Sequence, residues 1–247
     1  MREETTGGGD GPTTVESRKG SYHHGNLRLA VIERAMLLLE EHGAAGLSLR
    51  LVARQLGVSQ QAPYHHFADK NALLAALAAE GFRELGENVR RSPLEGRSLE
   101  RRVGGLCAGL VRFARERPEL FHLMFGGRIA RAGDYPELVD AASASYRMLV
   151  CRVRETLDAF EIAQFDVDHA AMAIWALGHG LASFILNERI APEVAAIVGD
   201  DGRVLVRHVA AILAAGFASA LAPDRREDED DPAARRRTSH AADGTTR

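Results

Sequence analysis

Between Ser48 and Phe67 the chain reads Ser-Leu-Arg-Leu-Val-Ala-Arg-Gln-Leu-Gly-Val-Ser-Gln-Gln-Ala-Pro-Tyr-His-His-Phe, and no other segment constrains the fold as much. Leu49, Val52, Ala53 and Leu56 recur at three- and four-residue spacing, which marks one buried helical face. Ser48 stands just before them as an N-cap, its hydroxyl able to accept from an orphan amide of the first turn. Gly57 follows the last periodic residue, where a helix stops by entering the left-handed conformation at no steric cost. Ser59 is placed to cap a second short helix, which Phe67 closes with a large apolar side chain. Two short helices joined by so tight a turn let one lie in a DNA major groove while the other braces it. The plain alternative is an αα-hairpin with a solvated outer face.

The second of these helices carries Gln60, Gln61, Tyr64 and His65 on its outer side. Glutamine donates and accepts at once on a base edge, while tyrosine and histidine reach phosphates or bases. Lys70, just beyond, is placed for a phosphate. The whole chain has a net charge of −3, yet Ser17 to Asn71 holds seven basic residues against Glu33, Glu40, Glu41 and Asp69, a local +3. Attraction to phosphate depends on the local patch, so the overall sign does not exclude a nucleic-acid partner.

From Tyr22-His23-His24-Gly25-Asn26-Leu27-Arg28 through Lys70-Asn71-Ala72-Leu73-Leu74 the chain resembles the DNA-binding domain of TetR-family transcriptional regulators. The match is carried by the Leu27–His42 helix, Gly46-Leu47-Ser48-Leu49-Arg50, Val52 to Ser59, and Tyr64-His65-His66-Phe67-Ala68-Asp69-Lys70. The resemblance implies that Ser48, Arg50, Gln60, Gln61, Ala62, Tyr64, His65, His66 and Lys70 lie at or near DNA. It assigns Tyr64 and Lys70 to phosphates, and Arg50, Gln60, Gln61 and Ala62 to positions that read bases. His66 faces either DNA or the helix junction. Two residues depart from the pattern: Leu51 stands where an acidic residue would complete a capping box with Ser48, and Pro63 stands where an aliphatic residue is usual. Pro63 falls just after the first turn counted from Ser59, so local tightening is expected there.

Four parts follow from the pattern along the chain. Residues 1–21, rich in Gly, Thr and Glu, read as a disordered tail ending in Arg18 and Lys19, either a basic arm for DNA or simply solvated. Residues 22–85 form the helix-turn-helix domain, its first helix starting near Asn26 and ending at Gly43, its last beginning at an Asp69 N-cap. Residues 86–222 form a second helical domain, with helices near Leu99–Arg117, Pro118–Phe125, Pro136–Phe160, Asp166–Arg189 and Asp201–Leu221. Residues 223–247, with blocks of Asp/Glu and then Arg235-Arg236-Arg237, read as a charged disordered tail. The fold class is all-α, since alternating Val/Ile/Thr-rich runs between turn signals are absent.

The last two helices are apolar nearly all round, and small residues such as Gly178, Ala182 and Gly216 let helix axes approach closely. That suits a homodimer built through these two helices into a four-helix bundle. Trp175, His179 and Gly180 resemble the tryptophan–histidine–glycine variant of the family's C-terminal domain. Phe121, Met124, Tyr146, Trp175 and His179 form a candidate pocket for an unidentified small apolar effector, with core packing as the alternative for each. Phe113 and Phe125 read as core.

Other classes find little support. With 46% hydrophobic and 26% charged residues, the composition is that of an ordinary soluble chain, and no uninterrupted apolar run approaches the ~18–20 residues that span a bilayer. The glycine-rich, charged N-terminus does not read as a signal peptide, and Cys107 and Cys151 read as buried thiols in a reducing cytoplasm. There is no HExxH, phosphate loop, nucleophile elbow or Cys/His metal spacing, and the adjacent pairs His23-His24 and His65-His66 point about 100° apart on a helix. An enzyme, a metal site and an organic cofactor are therefore not expected. A non-specific nucleoid or RNA-binding protein is the remaining rival. The expected function is a ligand-responsive, homodimeric repressor on a palindromic double-stranded DNA operator.

Overall fold

A computed structural model of the protein describes residues 27–94, 97–186, 193, 196–197 and 202–219. Arg18, Lys19 and the 223–247 tail lie outside the described residues. Eight α-helices are defined there: α1 (Leu27–Gly46), α2 (Leu49–Leu56), α3 (Lys70–Arg90), α4 (Leu99–Glu116), α5 (Pro118–Phe125), α6 (Pro136–Ala159), α7 (Val167–Leu186) and α8 (Arg203–Ser219). Short 3-10 turns cover Ala62–His65 and Ala132–Asp134, and no strand occurs among the described residues.

Local chemistry sets most of these ends. Ser48 is extended (φ −150°, ψ 150°) and its Oγ accepts from the Leu51 amide at 3.1 Å, so α2 starts on its cap without an acidic partner at Leu51. Gly57 ends α2 at φ 68°, ψ 24°, a left-handed geometry open to glycine at low cost. Asp69 caps α3 by accepting from the Ala72 amide at 2.8 Å. Pro118 and Pro136 open α5 and α6, where a missing N–H leaves no intrahelical bond unmade. At Gly43 the α1 backbone leaves helical geometry (φ 64°, ψ 171°), although one further turn follows to Gly46.

The buried faces then decide the packing. Val31, Ile32, Ala35, Leu38 and Leu39 of α1 join Leu49, Val52, Leu56 and Phe67 in one core with Leu73 and Leu77 of α3. The long helix α3 lies against α6, and Gly86 permits the contact: a Cβ there would sit 3.3 Å from the Ser145 Cα. Helix α4 is the central element of the second half, with both α7 and α8 packed on it and Phe113 fully buried. Because α3 reaches from Lys70 to Arg90, the same rigid rod belongs to the helix-turn-helix region and to the layer facing α6.

Two expectations need correction. Cys107 is buried, its Sγ 3.8 Å from the Ile174 carbonyl, and burial pushes its thiol pKa up to about 12. Cys151 is exposed instead, with Sγ 3.6 Å from Glu155 Oε1. It lies two residues from both Leu149 and Val153, the inward residues of α6, and so about 200° around the helix from them. The second correction concerns α7, which is long and apolar enough to cross a membrane, with mean hydropathy 1.4 over 18 residues. Ile174, Leu177, Leu181, Phe184, Ile185 and Leu186 carry most of that average, spaced among alanines, glycines and two histidines rather than in one unbroken run. Only 33% of this stretch is buried, leaving Met172 and Phe184 half exposed; Val204 and Ile212 of α8 are likewise uncovered.

Truncating Phe113 to Ala should lower unfolding free energy by about 3–5 kcal/mol through cavity formation, and Ser48→Ala by about 1 kcal/mol through cap loss. Urea denaturation followed by circular dichroism checks both, with the larger loss at Phe113.

Candidate nucleic-acid interface

The helix expected from Ser59 to Phe67 is replaced by a turn at Gln60 and Gln61 that leads into one 3-10 turn, Ala62–His65. Ser59 does not cap it; Gln61 precedes the turn and makes no side-chain capping bond. Pro63 contributes to this: it has no amide to donate, and its ring crowds the Ser59 carbonyl four residues back, so the first α-helical bond of the segment is lost. Bonds to the third residue back take over: Ala62 N to Ser59 O, Tyr64 N to Gln61 O and His66 N to Pro63 O, each 3.0 Å. The Pro63 carbonyl also accepts from Phe67 N at 3.0 Å.

Pro63 and Phe67 are buried, anchoring the turn against the protein, while Gln60, Gln61, Tyr64, His65 and His66 are exposed. His66 thus turns outward rather than into the helix junction. Arg50 of α2 is exposed; Ala62 and Ser48 are half-buried, and the Ser48 hydroxyl is engaged by the Leu51 amide. Lys70 differs from expectation in having a bond within the chain: its Nζ donates to Ala45 O at 3.0 Å. That bond ties the start of α3 to the end of α1 and leaves two ammonium protons for another acceptor. The guanidinium of Arg28 lies over the Phe67 ring at 5.6 Å, a further tie between α1 and the turn.

The five candidate pocket residues do not share one cavity. Phe121, Trp175 and His179 come together around Phe125: Trp175 and His179 stack at 5.0 Å, Phe121 and His179 at 5.5 Å, and Phe125 meets the His179 ring edge-on at 5.0 Å. Phe125, expected in the core, is half-buried at the centre of this group, and Phe82 of α3 touches it at 5.5 Å. The four-residue step from Phe121 to Phe125 was the available signal, since it puts both rings on one helix face. Tyr146 donates to Asp168 O at 3.4 Å and, with Trp175, Leu106 and Ile174, lines a cavity of only about 30 Å³. Met124 lines a different cavity of about 330 Å³, with Phe82, Leu123, Ile129 and Leu138.

Ion pairs link the two halves of the molecule. Glu137, at the start of α6, accepts from Arg28 of α1 and from Arg83 of α3, the latter at 2.8 Å. Burial alone would raise the Glu137 carboxyl pKa, but Arg83 and Arg28 hold it below the ordinary value. Glu40 of α1 accepts from the first amides of α5, Glu119 N at 3.2 Å and Leu120 N at 3.3 Å. Among the described residues, no cluster of His, Cys, Asp or Glu has a geometry that would hold a metal ion.

An all-helical chain with a capped α2, a glycine turn and an exposed polar turn seated on Pro63 and Phe67 has the build of a helix-turn-helix regulator. Residues 31–77 match the family of bacterial regulatory proteins of the tetR type, and residues 103–209 match the tetracyclin repressor-like C-terminal domain. A solved structure of a protein of unknown function from Rhodococcus sp. RHA1 is 34% identical over 80% of this chain and 98% of that one, with a TM-score of 0.66. The HTH-type transcriptional regulator Rv1816 of Mycobacterium tuberculosis is 37% identical over 62 residues, 25% of this chain and 26% of that protein. The tetracycline repressor protein class C of Escherichia coli is 53% identical over 51 residues, 21% of this chain and 23% of that protein. These curated relatives are therefore matched over about a quarter of their length. The chain belongs to the TetR family, whose members are transcription regulators rather than enzymes.

Burial lowers the His179 pKa, so the folded state favours the neutral ring. Its contribution to stability is complete above the unfolded value of about 6.5 and is lost as pH falls through the lower folded value. Thermal melts should therefore show a larger fall in Tm from about pH 7.5 to about pH 5.5 for the wild type than for His179→Phe. Equal falls would mean that the ring is as well solvated folded as unfolded.

Proposed function

We propose that this protein is a homodimeric, effector-responsive repressor that reads a palindromic double-stranded DNA operator through residues 48–70. The observation that carries the reading is the exposed run Gln60, Gln61, Tyr64, His65 and His66, held rigid by buried Pro63 and Phe67. Glutamines offer paired donor and acceptor groups to base edges; Tyr64 and Lys70 serve phosphates, and Arg50 and Ala62 flank the base-reading positions. Ser48 acts indirectly, holding the first turn of α2 by its cap.

Dimerisation is supported by the apolar faces of α7 and α8, whose Met172, Phe184, Val204 and Ile212 remain uncovered in a single chain. A second copy burying the same face would remove that surface from water at about 25 cal/mol per Å². One such turn spans only a few base pairs, so two copies about one DNA turn apart supply the specificity that one lacks. Residues 22–85 act as the DNA-binding domain and 86–222 as the dimerisation and effector domain. The effector is a small, largely apolar molecule taken into the cavity of about 330 Å³ that Met124 lines with Phe82, Leu123, Ile129 and Leu138, rather than among the packed Phe121, Trp175 and His179 rings. As a DNA-bound regulator the protein works in the cytoplasm, and its uncovered α7 face meets its own second copy rather than a membrane.

Mobility-shift titration against the DNA flanking its own gene tests the reading. Tyr64→Ala should weaken operator binding at least tenfold, about 1.4 kcal/mol, while leaving the melting curve within a few degrees of wild type. Equal affinity for the operator and for scrambled DNA would overturn the proposal. In light-scattering chromatography, Phe184→Glu with Ile212→Glu should elute as a monomer and lose the specific shift; an unchanged dimer would show that the interface lies elsewhere.

A further inference from the structure

We infer that Asn71 is a positioning residue for DNA binding, fastening the first turn of α3 to the 126–135 segment so that displacement of that segment is felt at the DNA-facing residues. The inference rests on the assignment of residues 48–70 to DNA. Asn71 is the second residue of α3 and directly follows Lys70. Its Nδ2 donates to Ala130 O at 2.9 Å and to Tyr135 Oη at 2.8 Å, while its Oδ1 accepts from Ala130 N at 3.1 Å. One amide side chain thus grips the segment with both donors and its acceptor, across about sixty residues of sequence. A backbone pair at Ala130 fixes which end of the amide faces which group, because the carbonyl takes only a donor and the N–H only an acceptor.

The segment it holds is poorly supported otherwise. Residues 126–134 are exposed except for half-buried Ile129. Arg131 adopts φ 50°, ψ 51°, a left-handed geometry that strains a non-glycine residue and persists where neighbours impose it. The same segment lines part of the 330 Å³ cavity, through Gly127, Ile129 and Ala132, together with Phe82, Leu138 and Ala142. At its far end Tyr135 leads into α6, where Glu137 pairs with Arg28 and Arg83. A wall that moves outward therefore pulls on Asn71 and, one residue earlier, on Lys70, whose Nζ already ties α3 to Ala45.

A double-mutant cycle needs no identified effector: Ala142→Phe pushes a ring into the cavity, and Asn71→Ala removes the tie. Operator affinity is measured by anisotropy for wild type, both single variants and the double variant. Ala142→Phe should weaken operator binding about fivefold or more when Asn71 is present and less than about twofold when it is absent. The same factor in both backgrounds would overturn the inference, because a merely structural Asn71 gives additive losses. Should Ala142→Phe fail to fold by circular dichroism, amide exchange decides. Operator DNA should slow exchange at residues 126–135 in the wild type but not in Asn71→Ala, and equal protection in both would overturn it. A wild type that does not distinguish operator from scrambled DNA overturns the DNA-binding assignment itself, and this inference with it. Specific binding with additive losses overturns this inference alone.

Discussion

The missing amide of Pro63 is the constraint on which the candidate interface depends. Pro63 has no amide to give the Ser59 carbonyl, and from Ala62 to His66 bonds three residues apart close the segment into a compact turn. The side chain of Pro63 and the ring of Phe67 then sink into the core beside α1, so the turn has an inside and an outside. Everything polar between them is left outside.

The rest of the molecule reads as support for that turn. Helix α3 begins at an Asp69 cap immediately beyond it and runs on into the layer against α6, so an orientation set at one end is inherited at the other. Among the described residues, polar junctions bind this rod and α1 to the second half: Glu40 on the α5 amides, Glu137 between Arg28 and Arg83, Glu84 on Arg117, and Asn71 on the 126–135 segment. Each of the exposed ion pairs is weak alone, but discrete polar contacts of this sort have two states, made or broken, as a switch requires. The uncovered faces of α7 and α8 are the surface on which the proposed second copy would be seated.

Legibility followed the range of the interactions. Ser48, Gly57 and Asp69 act on groups within four residues, and their roles could be read from the sequence one residue at a time. Pro118 and Pro136 likewise marked the starts of α5 and α6. Pro63 was legible as a tightening element, but a helix through Gln60 to His66 was still expected, because helical spacing of polar residues does not reveal a lost i to i+4 bond. Cys151 and the pocket set failed for another reason: which face of α6 is inward, and whether Tyr146 and Met124 share a cavity with Phe121, are decided by packing between distant helices. Asn71 left no trace in the sequence at all, since its three partners lie about sixty residues away.

The central claim is that two copies of the 60–66 turn face successive major grooves of one duplex. Methylation interference at guanine N7 on the operator measures this directly, because N7 lies in the major groove. The account predicts two clusters of interfering guanines, related by a two-fold axis and separated by about 10–10.5 base pairs or a whole multiple of that spacing. A single cluster, or interference scattered without regard to sequence, would contradict it.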